Sequence, residues 1–224
     1  MTKPIHNRNP NTIDEIMHPG IDDLIKNWHK RNIRGLYCNN KEEAVSRIME
    51  LIPQTASIGV SGSMTLDQLG IAARLTERGN SVFNQYTPGI TREENLTLRR
   101  LGTKADYYMA SPNAISLNGE LVFFSAYGNR TSGVSNAKNV IIVSGVNKIA
   151  QNLDEALKRA REYATPLNCK RLKWNTPCFN DGVCRKDVCL FPEYKRMCCQ
   201  LLIIEAEVAI DRLKVLLVGE DLGF

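Results

Sequence analysis

From Asn40 to Ser144 the chain alternates short apolar runs with segments of helical periodicity, and this alternation limits the fold more than any other feature. Consecutive parallel strands need a crossover of about a dozen residues or more, which a helix supplies. Strands are predicted over 56–61, 81–86, 106–111 and 139–144, where apolar residues come in runs too short for helices. Helices are predicted between them, opening at Asn40 with Glu43, Thr65 with Gln68, Thr91 with Glu94 and Asn152 with Glu155, the spacing of a capping box. Asn118-Gly119 between 115–117 and 121–125 predicts a hairpin, and 201–207 and 213–218 read as the last two strands. The expected fold class is α/β, a Rossmann-like, mostly parallel sheet flanked by helices.

The segment 1–38 reads as an N-terminal helical lead-in, interrupted at Pro19-Gly20, and 39–224 as the α/β domain with a cysteine-rich insertion over 175–199. No run approaches the roughly 20 apolar residues that cross a bilayer, and the first ten residues lack a signal-type apolar stretch, so a soluble cytoplasmic protein without a membrane partner is expected. The net charge of +5 is concentrated near the insertion, where 168–200 carries seven Lys and Arg against three acids. With only Trp174, Phe179, Phe191 and Tyr194 there for base stacking, nucleic acid ranks last among partners. All three histidines lie before residue 30, which disfavours a Ser-His-Asp hydrolase, and neither a P-loop nor GxGxxG is present.

In open α/β sheets ligands bind beyond the carboxyl ends of the strands. Ser61-Gly62-Ser63 falls between a strand and a helix, so it either holds a phosphate or carboxylate or simply makes a tight turn. Asn113, Asn129, Arg130 and Lys148 follow strands or hairpin edges, and the two cations either neutralise a small anionic metabolite or form a solvated rim. Glu220, leaving the last strand, suits a ligand contact, acid-base work or a hydrogen-bonded cap.

Six of seven cysteines fall between Cys169 and Cys199. Cys178, Cys184, Cys189 and Cys198, with Cys199 as the alternative fourth, can ligate zinc or an iron-sulfur cluster because both take soft thiolates. A redox disulfide pair and unliganded thiols remain alternatives, since no CxxC pair occurs. Cys38 and Cys169, without near neighbours in sequence, are expected in the core.

Four ordered stretches, 59–66, 113–122, 128–130 and 143–149, together with Thr176-Pro177-Cys178 and the ending 218–224, resemble the lactate-utilization (LUD) domain family, in its longer subgroup with a cysteine segment. The gap from Cys184 to Cys189 is wider than the CxxC of that subgroup. The resemblance implies a NagB/RpiA/CoA transferase-like fold and a link to conversion of lactate to pyruvate, alongside iron-sulfur and oxidoreductase partner subunits. Two alternatives stand beside this reading: an iron-sulfur or zinc electron-transfer or assembly subunit whose active feature is the cysteine segment, and a CoA or sugar-phosphate enzyme of the same superfamily. In fold relatives with CoA chemistry a glutamate is the nucleophile, which makes Glu120 the catalytic candidate against an exposed turn residue. A homo-oligomer is left open.

Overall fold

The computed structural model describes residues 20–224. Its strands are β1 (Arg34–Cys38), β2 (Ser57–Val60), β3 (Ser81–Asn84), β4 (Tyr107–Ala110), β5 (Ala114–Ser116), β6 (Leu121–Ser125), β7 (Asn139–Gly145), β8 (Ile149–Ala150), β9 (Gln200–Ile204) and β10 (Leu213–Val218). Its helices are α1 (Ile21–Lys30), α2 (Lys41–Leu51), α3 (Met64–Gln68), α4 (Ile71–Glu77), α5 (Arg92–Gly102), α6 (Asn129–Asn136), α7 (Leu153–Arg159), α8 (Thr165–Arg171) and α9 (Pro177–Asp181). Asn40, Thr91 and Asn152 cap α2, α5 and α7 through their side chains. Each satisfies an amide that the helix cannot.

Six strands form a wholly parallel sheet in the order β1-β10-β7-β4-β2-β3. Period-two alternation splits their side chains between two cores. Ile58, Met109, Ile141, Val143 and Leu216 face α2, α3 and α4, whereas Tyr108, Val140, Ile142, Val215 and Leu217 face α1 and α6. Gly59 on β2 is held close to Gly102 at the end of α5, where any Cβ would strike the Gly102 carbonyl. Strand and helix backbones therefore touch directly at that point.

A second sheet, β8-β5-β6-β9, lies against the α1 side of the first through Ile115, Leu121 and Phe123. Its other face, with Ala114, Val122 and Phe124, packs on α7. The hairpin at Asn118-Gly119 forms as expected, but in this smaller sheet. The strand expected over 201–207 pairs antiparallel with β6 in the same sheet and stops at Ile204.

Three elements depart from the sequence reading. Arg34–Cys38 is not part of a helical lead-in: it is the edge strand β1 of the main sheet, paired with β10. Residues 129–136, where no element is predicted, form α6, whose Gly133 lets the Tyr108 ring lie against the helix backbone. The cap of α3 is Ser63, while Thr65 is fully buried inside. The part of the lead-in before Gly20, with His6 and His18, lies outside the described residues.

The connections create a crevice. From β2 the chain goes outward to β3, then returns past β2 to β4, after which β7 lies on the opposite side. The loops after β2 and β4 therefore diverge to opposite faces, and the space between them is the switch point at which open α/β sheets bind ligands.

Candidate functional site

That crevice is lined by Gly62, Gln85, Tyr86, Asn113, Arg130 and Asn168, among others, around a cavity of about 80 Å³. An adjoining recess of about 30 Å³ shares Gly62, Asn113, Arg130 and Asn168 with it and reaches Lys148. A Cβ at Gly62 would displace the Gln85 amide and the Tyr86 hydroxyl, so glycine lets both side-chain ends close over the β2 loop.

Arg130, on the first turn of α6, ties the three walls together. Its guanidinium donates to the Gly62 carbonyl, to Phe124 O at 3.2 Å and to Asn113 Oδ1 at 3.3 Å. Lys148, just beyond β7, is 4% exposed, and its Nζ donates to Thr65 Oγ1 and Ser111 Oγ at 2.8 Å each and to Pro112 O at 3.3 Å. Arg159 at the end of α7 donates to Asn113 O at 2.7 Å and Asn147 O at 2.8 Å. Every one of these partners is a neutral oxygen.

No Asp or Glu lines the cavity or the recess, and among the described residues no ion pair includes Arg99, Arg130, Lys148 or Arg159. Burial first, then repulsion from Arg130 and Arg159, holds the Lys148 ammonium well below the usual lysine range. Burial also lowers Arg130, yet a guanidinium stays charged at any physiological pH. The site thus gathers Arg130 and Lys148 with no Asp or Glu side chain in its lining, and Phe224 closes the recess beside them.

A model of the LUD domain matches residues 21–218. The chain belongs to the LUD domain family. Among solved structures, this LUD chain resembles a DUF162 family protein from Deinococcus radiodurans, with 13% identity, a TM-score of 0.50, and 89% of this chain and 96% of that one covered. That likeness shows the fold. The chain is also similar to eIF2B delta from Chaetomium thermophilum, at 16% identity and a TM-score of 0.34 over 62% of this chain and 57% of that one. A search of curated protein sequences gave no match.

The LUD fold gathers Gly62, Ser63, Asn113, Asn129, Arg130 and Lys148 around the cavity and its recess. Asn129 works through neighbours, donating to Gln85 Oε1 at 3.1 Å and accepting from Arg99 at 3.3 Å and, at its carbonyl, from Tyr108 Oη at 2.9 Å. Ser61 is buried below the cavity, and its hydroxyl has no partner among the described residues. Glu220 is half-buried past β10 and lines neither space. Glu120 sits at the other end of β6, roughly 16 Å of strand away from Ser125 at the cavity. There it pairs with Arg31 at 2.8 Å and accepts from the Ser116 hydroxyl, a structural corner and not a nucleophile's surroundings.

Sequence reasoning missed Thr65, Ser111, Arg159, Asn168 and Gln85, which reach the site only through tertiary packing. The backbone itself carries one mark of the site. The helical stretch from Leu153 to Arg171 contains a π-turn at Ala160–Ala164, where Thr165 Oγ1 bonds back to Ala160 O at 2.8 Å. Such turns cluster at functional sites.

The cysteine segment contributes a short helix, α9, and otherwise irregular backbone from 172 to 199. Cys178, Cys184, Cys189 and Cys198 all line one enclosed cavity of about 20 Å³, together with Cys169. Cys199 is exposed, and its Sγ donates to Arg196 O at 2.9 Å. All seven thiols are free, and among the described residues no three Cys, His, Asp or Glu side chains stand ready-made around a metal position. Burial pushes Cys38 up to about 11 and Cys169 up to about 12, so neither is a nucleophile at neutral pH. Cys38 belongs to the main core, while Cys169 packs on the cysteine cavity, its Sγ 3.8 Å from Met197 Sδ.

Proposed function

We propose that this chain captures a small anionic hydroxy or keto acid at the switch-point crevice, as a component of conversion between lactate and pyruvate. One observation carries the reading: part-buried Arg130 and buried Lys148 line the same recess with only neutral oxygens as hydrogen-bond partners. Taking an unpaired charge out of water costs several kcal/mol, so a fold keeps two of them together where an anion offsets the cost. The size of the space argues for the class of anion. About 80 Å³ suits an acid of a few carbons, whereas pockets for larger ligands run to roughly 300 Å³ or more.

On this reading Arg130 grips the carboxylate, and Lys148, Asn113 and the Gly62-Ser63 loop border the remainder of the acid. Oxidation of lactate releases two electrons and two protons, which we assign to an oxidoreductase partner, leaving capture and presentation of the acid to this chain. Calorimetric titration of the protein with lactate, pyruvate, inorganic phosphate and acetyl-CoA tests the assignment. Saturable binding of lactate or pyruvate, lost in Arg130→Ala, is the expected result. Binding of acetyl-CoA in preference to both acids, or unchanged acid binding in Arg130→Ala, overturns it; preference for phosphate moves the assignment to the sugar-phosphate branch of the superfamily.

A further inference from the structure

We infer that Cys178, Cys184, Cys189 and Cys198 form a binding site for a single thiophilic divalent cation, zinc being the biological candidate, inside the cysteine segment. The first observation is convergence. These four residues are separated by five, four and eight positions in irregular backbone, yet all four face the same enclosed cavity. Nothing in regular secondary structure requires that.

The second observation is how little else holds the segment. Its buried cluster is small, Cys169, Cys178 and Met197 with Ala126, Leu172 and Trp174 part-buried against it, while Val183, Val188, Leu190 and Phe191 are 53 to 85% exposed. Ordering each residue costs about 1–2 kcal/mol of backbone entropy, which so small a core does not offset. Metal coordination supplies that stabilisation in small metal-tied modules.

The third is an orphaned donor. Arg196 lines the cavity, and its Nε is buried with no acceptor among the described residues. Four thiolates around a divalent ion carry two negative charges, which gives Arg196, with Lys186 in the same lining, an anionic partner. The donor set and the positive lining therefore fit one another.

The cavity volume selects the ion. About 20 Å³ is room for a single ion between the thiols. Binding deprotonates the thiols and draws the sulfurs inward to about 2.3 Å from the ion. Met197 and Thr165 line both this cavity and the anion crevice, so the ion also fixes one wall of that crevice.

The test uses the full chain, purified anaerobically, with zinc and iron measured per chain and Co(II) loaded in place of zinc. We expect close to one zinc per chain, no iron, and intense visible ligand-field bands of tetrahedral Co(II)-thiolate. Chelator competition should show at least tenfold weaker retention in Cys184→Ser and Cys189→Ser, and unchanged retention in Cys199→Ser. The Co(II) spectrum of the unaltered chain decides the matter even if a variant folds poorly. Absence of stoichiometric zinc after incubation with the ion, octahedral-type weak Co(II) bands, bound iron with broad visible absorbance, or a disulfide among the four would each overturn the assignment. None of these readouts depends on whether the crevice binds an acid.

Discussion

The two ends of the β5–β6 hairpin each hold an arginine against backbone carbonyls, and they differ in one respect that separates scaffold from site. At the turn end Arg31 donates to Asn118 O at 2.9 Å and Glu205 O at 2.7 Å, and it also meets the Glu120 carboxylate. Its charge is neutralised within the fold, and the corner locks α1 and its buried Trp28 onto the hairpin. At the other end Arg130 makes a comparable set of bonds with no carboxylate among them, and the charged neighbour in its recess is Lys148. The Arg31 corner supplies its own counter-ion, whereas no Asp or Glu side chain among the described residues pairs with Arg130.

The comparison breaks most readily at the Arg31 corner. Arg31→Ala leaves Glu120, 12% exposed, without its cation, so unfolding by denaturant should show about 2–3 kcal/mol lost while acid binding is unchanged. Weakened binding there would place the corner in the functional unit. Arg130→Ala should do the reverse, costing about 2 kcal/mol of acid binding, roughly thirtyfold in Kd by calorimetry, through loss of a charge-assisted grip. Lys148→Met sharpens the contrast further. It removes a buried charge that has no acid partner, so stability at neutral pH should hold or rise, while acid binding falls by roughly tenfold, about 1.4 kcal/mol.

The smallest effect is in pH. Lys148 titrates in the fold below its unfolded value of 10.5, so between those two values the unfolded chain carries the extra proton. Stability therefore rises with pH across that window and declines as pH falls through the folded value. A bound anion favours the ammonium, so acid binding should take up protons and weaken as pH rises. Titration in two buffers of different ionisation heat measures that uptake, and Lys148→Met should abolish it.

The strands and capped helices were legible because their signals are local: a run of apolar residues, or an Asn or Thr three residues ahead of an acid. β1 was not, since Arg-Gly-Leu-Tyr-Cys at a half-exposed edge shows neither a run nor an alternation. α6 was not, since Asn-Arg-Thr-Ser-Gly-Val-Ser-Asn buries only Gly133 and Val134 and has almost no apolar face. Within the site, Arg130 and Lys148 stood out as cations after strands. Thr65 was misread because its capping-box spacing to Gln68 is genuine in sequence, while Ser63 two residues earlier wins the cap and Thr65 turns inward to Lys148. Glu120 was misplaced because a hairpin glycine says where the turn is, not which end of the sheet faces the ligand.

The π-turn at Ala160–Ala164 makes the helix from Leu153 to Arg171 longer by one residue than its two halves require. Each helical residue turns the chain by about 100°, so a copy of this domain lacking that residue would roll α8 by more than a quarter turn. Asn168 would swing away from Arg130 and Cys169 away from Met197, while Arg159, upstream, kept its hold on Asn113. One inserted position thus acts as the hinge pin between the crevice-lining and cysteine-lining parts of the molecule.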